Sequence, residues 1–198
     1  MIANLIAALA IAATAQNYDT DRFEVRELES ANGCAMVGDW AFEGRSNIYL
    51  QVDHMIDGDV FVALTSYGWT RPAQDVRKIV AFNFKKPDAA DVMIGTLGLP
   101  STGLRPSLVA LVFEEDRESF LAELASASSV NVRTMDPVVE GEALDPDDVK
   151  LVLQARLTGS SQAVANLRQC SANLKRREDA RREREARYDH IAKDPFSD

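Results

Sequence analysis

The chain has 198 residues, 46% of them apolar and 27% charged, and a net charge of −9. That length suits one domain with a real core, and the composition is that of a globular protein. The acidic balance argues against nucleic acid as a partner, because phosphate binding needs a basic surface, and it argues against anionic membranes to a lesser degree.

Met1–Ala15 reads MIANLIAALAIAATA, a short apolar run followed by Ala13-Thr14-Ala15. Small residues at Ala13 and Ala15 suit a signal peptidase, so residues 1–15 are expected to be a signal peptide cleaved before Gln16. The run is shorter than the roughly 20 residues of a membrane helix. An uncleaved anchor or a buried N-terminal helix is the other reading. No second long apolar run follows, so no transmembrane span is expected in the mature chain.

Arg22–Leu28 reads as a short strand with Phe23 and Val25 on one face. Asn32-Gly33 marks a turn, and Cys34–Phe42 reads as a strand ending near Trp40. Asn47–Thr65 is the clearest hairpin in the chain. Ile48, Leu50 and Val52 alternate with Tyr49, Gln51 and Asp53; Val60, Val62 and Leu64 alternate with Phe61, Ala63 and Thr65. Asp57-Gly58 between them predicts a two-residue type I′ turn.

Tyr67 and Trp69 stand on a loop and are candidate binding residues, because loop aromatics serve as binding anchors; a lid over the hydrophobic core is the other reading. Val76–Phe84 predicts a strand with Val80, Phe82 and Phe84 inward. Val92–Leu99 contains glycines and is read as an edge strand. Ser107–Phe113, SLVALVF, is continuously apolar and predicts a central strand buried on both faces. Glu114–Ala127 predicts a helix with an acidic first turn and Phe120, Leu121 and Leu124 inward.

Val130–Arg133 and Val138–Ala143 are short strand candidates. Val149–Cys170 then reads as strand, turn and helix. Val149, Leu151, Leu153, Ala155 and Leu157 alternate with polar positions, Gly159-Ser160-Ser161 breaks the strand, and Ala163, Val164, Leu167 and Cys170 share one helix face. This unit is similar in plan to Ser107–Ala127; a degenerate duplication and shared physics explain that equally well. Beyond it, residues 175–198 form a charged tail. Lys175–Arg187 holds seven basic and four acidic residues, a net +3, which leaves −12 for the rest of the chain. Opposite charges four apart support a helix there, and Pro195 stops it.

Catalytic signatures are thin. The two histidines are His54 and His190. A triad on His54, with Asp53 or Asp57 and a serine, is the enzymatic alternative, but no Gly-x-Ser-x-Gly elbow is present. The two cysteines and two histidines match no zinc spacing, and Asp145, Asp147 and Asp148 match no calcium loop. Glu114, Glu115 and Asp116 are explained by a helix start. No cofactor, no metal and no nucleic-acid partner are expected.

Cys34 and Cys170 are the two cysteines of the mature chain. An export signal places them in an oxidising compartment, which predicts a Cys34–Cys170 disulfide; two free thiols or an intermolecular pair are the alternatives.

The ending L-x-G-S-S-x-A-x-x-x-L-x-x-C, Leu157 to Cys170, together with Gly33-Cys34 ahead of the hairpins, resembles uncharacterised secreted and periplasmic proteins of Gram-negative bacteria. The resemblance implies a periplasmic disulfide-bonded domain and carries no catalytic residues across.

The expected fold is α+β: a curved, mainly antiparallel sheet, or two packed sheets, with two helices and a charged helical extension. A β-sandwich with peripheral helices is the second choice. The expected organisation is a single domain over 16–174. The expected function is that of a periplasmic or secreted, non-enzymatic binding or envelope-associated module, monomeric, with a protein or small ligand as partner.

Overall fold

A computed structural model of the chain describes residues 23–28, 32–40, 48–66, 77–101, 107–136 and 149–191. Its strands are β1 (Glu24–Leu28), β2 (Gly33–Trp40), β3 (Ile48–Met55), β4 (Val60–Ser66), β5 (Lys78–Lys85), β6 (Val92–Ser101), β7 (Ser107–Leu111), β8 (Ser129–Met135) and β9 (Lys150–Arg156). A 3-10 turn at Glu114–Asp116 leads into helix α1 (Arg117–Ser126), and helix α2 spans Ser160–Ile191. The fold is α+β, as expected. One open antiparallel sheet has the order β1-β2-β3-β4-β7-β6-β5-β8-β9.

Side chains alternate across a sheet, so each strand gives one row to either face. Leu50, Val52, Val60, Val62 and Leu64 from the β3–β4 hairpin share one face with Val80, Phe82, Phe84, Leu108, Ala110, Val130, Val132, Leu153 and Ala155. Both helices pack there. Phe120 of α1 meets Phe82 and Phe84 edge-on, with ring centroids 5.2 and 5.5 Å apart, while Leu121, Leu124, Val164 and Leu167 complete the same cluster.

The hairpin forms where the alternation placed it, but its turn differs. Asp57 does not take a positive φ; Gly58 alone does, at +94°. Gly58 N–H donates to the Met55 carbonyl at 3.0 Å and Met55 N–H to the Asp59 carbonyl at 2.8 Å. This is a three-residue loop with glycine in the left-handed bulge position, in place of the type I′ turn.

Three further expectations are corrected. β6 is interior, between β7 and β5. Its glycine marks close approach: a Cβ on Gly98 would lie 2.7 Å from Val80 Cγ2 and 3.0 Å from Leu108 Cδ1. β7 is central but covered on one side only, which leaves Leu111 at 41% and Phe113 at 47% exposure. A continuous apolar run does not say how many faces are covered. In β9, Leu153, Ala155 and Leu157 are buried but Leu151 is 57% exposed. The register shifts opposite Val132/Arg133, where Val132 pairs with Leu153 and Arg133 with Leu151. The extra residue, Val152, reverses the parity, so Val152 packs against the core and Leu151 does not.

Candidate functional site

Helix α2 is held to the sheet at its base. Cys170 bonds Cys34 of β2, with Cα atoms 6.1 Å apart across 136 residues of sequence. The pairing inferred from the sequence is therefore the one formed. The next residue, Ser171, donates its hydroxyl to the His54 carbonyl at 2.9 Å, with the Leu167 carbonyl one turn back as a second acceptor at 3.1 Å. Arg168 reaches Glu118 of α1, and Arg177 reaches Glu27 of β1, each at 2.6 Å. Ala163, Val164 and Leu167 bury the inner face of this first half.

Beyond Leu174 the helix changes character. Asp179–Tyr188 is exposed at every position. Its turns are joined by Arg181–Glu178 and Arg181–Glu185 at 2.6 Å and Arg182–Glu178 at 3.0 Å. Hydrogen bonds from Arg181, then Arg182, hold the Glu178 carboxyl down to about 2. Arg177, Arg181 and Arg184 stand at i, i+4 and i+7, so they share one face. That face looks across a groove of about 290 Å³ whose other wall is Asn32, just ahead of β2, and Ile56, just after β3, with Leu174 and Glu178 beside the arginines. The Ile56 N–H donates to the Asn32 carbonyl at 3.0 Å, which ties the two residues into one wall. Arg184 donates through Nε to the Ala180 carbonyl at 3.2 Å, and no carboxylate pairs with it among the described residues.

Asp53 and His54 lie on opposite faces of β3, because they are adjacent on one strand. Asp53 therefore cannot orient the His54 imidazole. Asp53 Oδ1 accepts from Gln51 Nε2 at 2.9 Å on the face away from the helices. Although both are polar and alternate with the inward apolar row, Gln51 is 9% and Asp53 2% exposed. Burial pushes the Asp53 carboxyl up to about 7, while Gln51 and the Arg26 charge pull it down. His54 faces the helices. Burial lowers its pKa from the ordinary 6.5; Glu118 and Asp57 raise it and Arg168 lowers it. Its Nδ1 is buried without a hydrogen-bond partner among the described residues, and the neighbouring Ser171 hydroxyl bonds to carbonyls, not to the imidazole.

Tyr67 and Trp69 lie outside the described residues, as do the aspartates 145, 147 and 148 and the candidate signal segment. Among the described residues no group of three or more His, Cys, Asp or Glu side chains is placed to hold a metal ion, and no helix is long and apolar enough to cross a membrane.

Sequence reasoning missed the groove. The arginine spacing was visible in the charge run, since a helical projection of Arg177, Arg181 and Arg184 gathers them on one side. The opposing wall was not visible, because Asn32 and Ile56 are 145 and 121 positions before Arg177. Comparison of the chain with protein-family models, with curated proteins and with solved structures gives no match.

Proposed function

We propose that the protein is a periplasmic or secreted, non-enzymatic binding module, associated with the envelope, and that the C-terminal half of α2 presents its binding surface. The carrying observation is that Asp179–Tyr188 is exposed throughout while the helix below it is fixed by the Cys34–Cys170 bond and the Ser171–His54 hydrogen bond. A helix segment that buries no side of itself contributes little to the core, and here i,i+3 and i,i+4 ion pairs support the helix. Its rigid mounting makes it a presented surface. The apolar N-terminus and the disulfide between the two cysteines support export.

Measurements of processing, of capture and of a shortened chain test this reading. In cells, intact mass should place the mature N-terminus at Gln16, and thiol trapping should find both cysteines oxidised. A photo-crosslinking side chain placed at Arg187 should capture a discrete product in the envelope fraction. A chain ending at Glu178 should keep its disulfide and its thermal midpoint to within about 2 °C, since Asp179–Tyr188, which it loses, is exposed at every position. It should also leave the envelope fraction. Retention of the shortened chain there, with no crosslinked product from the full chain, overturns the reading.

A further inference from the structure

We propose that the groove between Asn32 and Ile56 on one side and the Arg177–Arg181–Arg184 face of α2 on the other is a binding site for a phosphate group carried beside an apolar chain. This deepens the binding-module reading and rests on it. Four observations point there. The groove's volume, about 290 Å³, lies near the small end of ligand pockets. Three guanidinium groups line it on one side, and arginine is the side chain best matched to phosphate oxygens, because its planar donors meet them in pairs. Arg184 carries no carboxylate partner among the described residues, so its terminal nitrogens meet an incoming anion without breaking an ion pair. Ile56 and Leu174 give the groove an apolar part next to the charges, which a bare inorganic ion leaves unused.

The competing charges are weak ones. Arg177 and Arg181 are engaged by Glu27, Glu178 and Glu185, but pairs made by exposed arginines contribute little and are screened by salt. A phosphate bridging Arg181 and Arg184 exchanges one such partner for an anion that both guanidinium groups share. Glu178 lines the same groove, and its charge is taken up by Arg181 and Arg182. The site is thus a basic pocket on a chain that is acidic overall. It is built from the start of β2, the end of β3 and a helix that the disulfide ties to β2.

The same chemistry is offered by a soluble phosphomonoester and by a phospholipid headgroup, and the experiment separates them. The full mature chain is titrated with n-hexyl phosphate, with inorganic phosphate, and with vesicles of phosphatidylglycerol in phosphatidylcholine, while the backbone amides of Asn32 and Ile56 are followed by NMR. Saturable shifts at both amides are expected with n-hexyl phosphate or with the vesicles, and weaker ones with inorganic phosphate. Response to the vesicles alone assigns the site to lipid; response to n-hexyl phosphate alone assigns it to a free phosphomonoester. Arg184→Ala should weaken binding at least tenfold. Lys150→Ala, which removes an exposed charge on β9 at the opposite edge of the sheet, should change it less than twofold. Absence of saturable shifts with both n-hexyl phosphate and the vesicles, or equal affinity in the Arg184→Ala chain, overturns the site. If crosslinking at Arg187 persists while the groove fails, the binding-module reading stands without it; if both fail, both fall.

Discussion

The two faces of the sheet are made by the same strands and meet different surroundings. On one face Leu50, Phe82 and Phe84 lie under α1 and α2 and are fully buried. On the other, Leu97 and Leu111 pair directly across β6 and β7 and remain partly exposed, with Met93 at 60% exposure on the same face. The difference lies in the cover, not in the strands. Burial of an apolar side chain yields about 25 cal/mol per Å² removed from water, so stability concentrates where the helices sit. The outer face holds instead the buried polar pair Gln51–Asp53, which costs free energy to keep there.

The most severe test of that contrast is Phe120→Ala. It removes the ring that contacts both Phe82 and Phe84 and should cost about 3–5 kcal/mol in chemical denaturation. A loss below 1 kcal/mol would mean that the helices do not seal that face. Next is removal of the covalent tie. Cys34→Ala with Cys170→Ala should cost about 2–4 kcal/mol, because the bond closes a long loop in the unfolded chain. A reductant should lower the thermal midpoint of the parent and leave that variant unmoved.

Asp53 sharpens the comparison on the outer face. Its carboxyl is raised from 3.8 to about 7 by burial. The folded state therefore holds a proton that the unfolded state releases. The associated stability is fully present below about pH 3.8 and is lost as pH rises through about 7. Asp53→Asn keeps an acceptor for Gln51 and removes the charge. It should flatten this part of the pH profile and raise stability at pH 8 by up to a few kcal/mol. An unchanged slope between pH 4 and pH 8 would show that Asp53 ionises normally. The smallest effect is expected from Met93→Thr and Leu151→Thr, each within about 0.5 kcal/mol of the parent, since both side chains are already more than half exposed. A larger loss from either would reveal cover on this face.

Much of the architecture was legible in local patterns. Alternation in Ile48–Val52 and Val60–Leu64 found the hairpin and its inward row, and three-to-four spacing found the inner stripes of both helices. Two cysteines with an export-like N-terminus gave the disulfide. Where the reading failed, a neighbour from elsewhere in the chain had decided the outcome. The register shift opposite Val132/Arg133 turned Leu151 outward, and Val80 and Leu108 on both sides of Gly98 made an interior strand out of a glycine-bearing run.

The same division holds for function. Period, capping and charge spacing are properties of adjacent residues, so the strands, the helices and the ion-paired tail could be read along the chain. Which side of a strand is covered, which turns meet, and which carboxylate reaches which arginine depend on contacts between residues far apart in sequence. Gln51 and Asp53 look like solvent-facing polar residues by alternation and are buried in the fold. Arg184 looks like one more charge in a mixed run and lines a groove in the fold. Local sequence carries the backbone's preference, whereas burial and electrostatic environment are set only when β1–β4 and α2 come together.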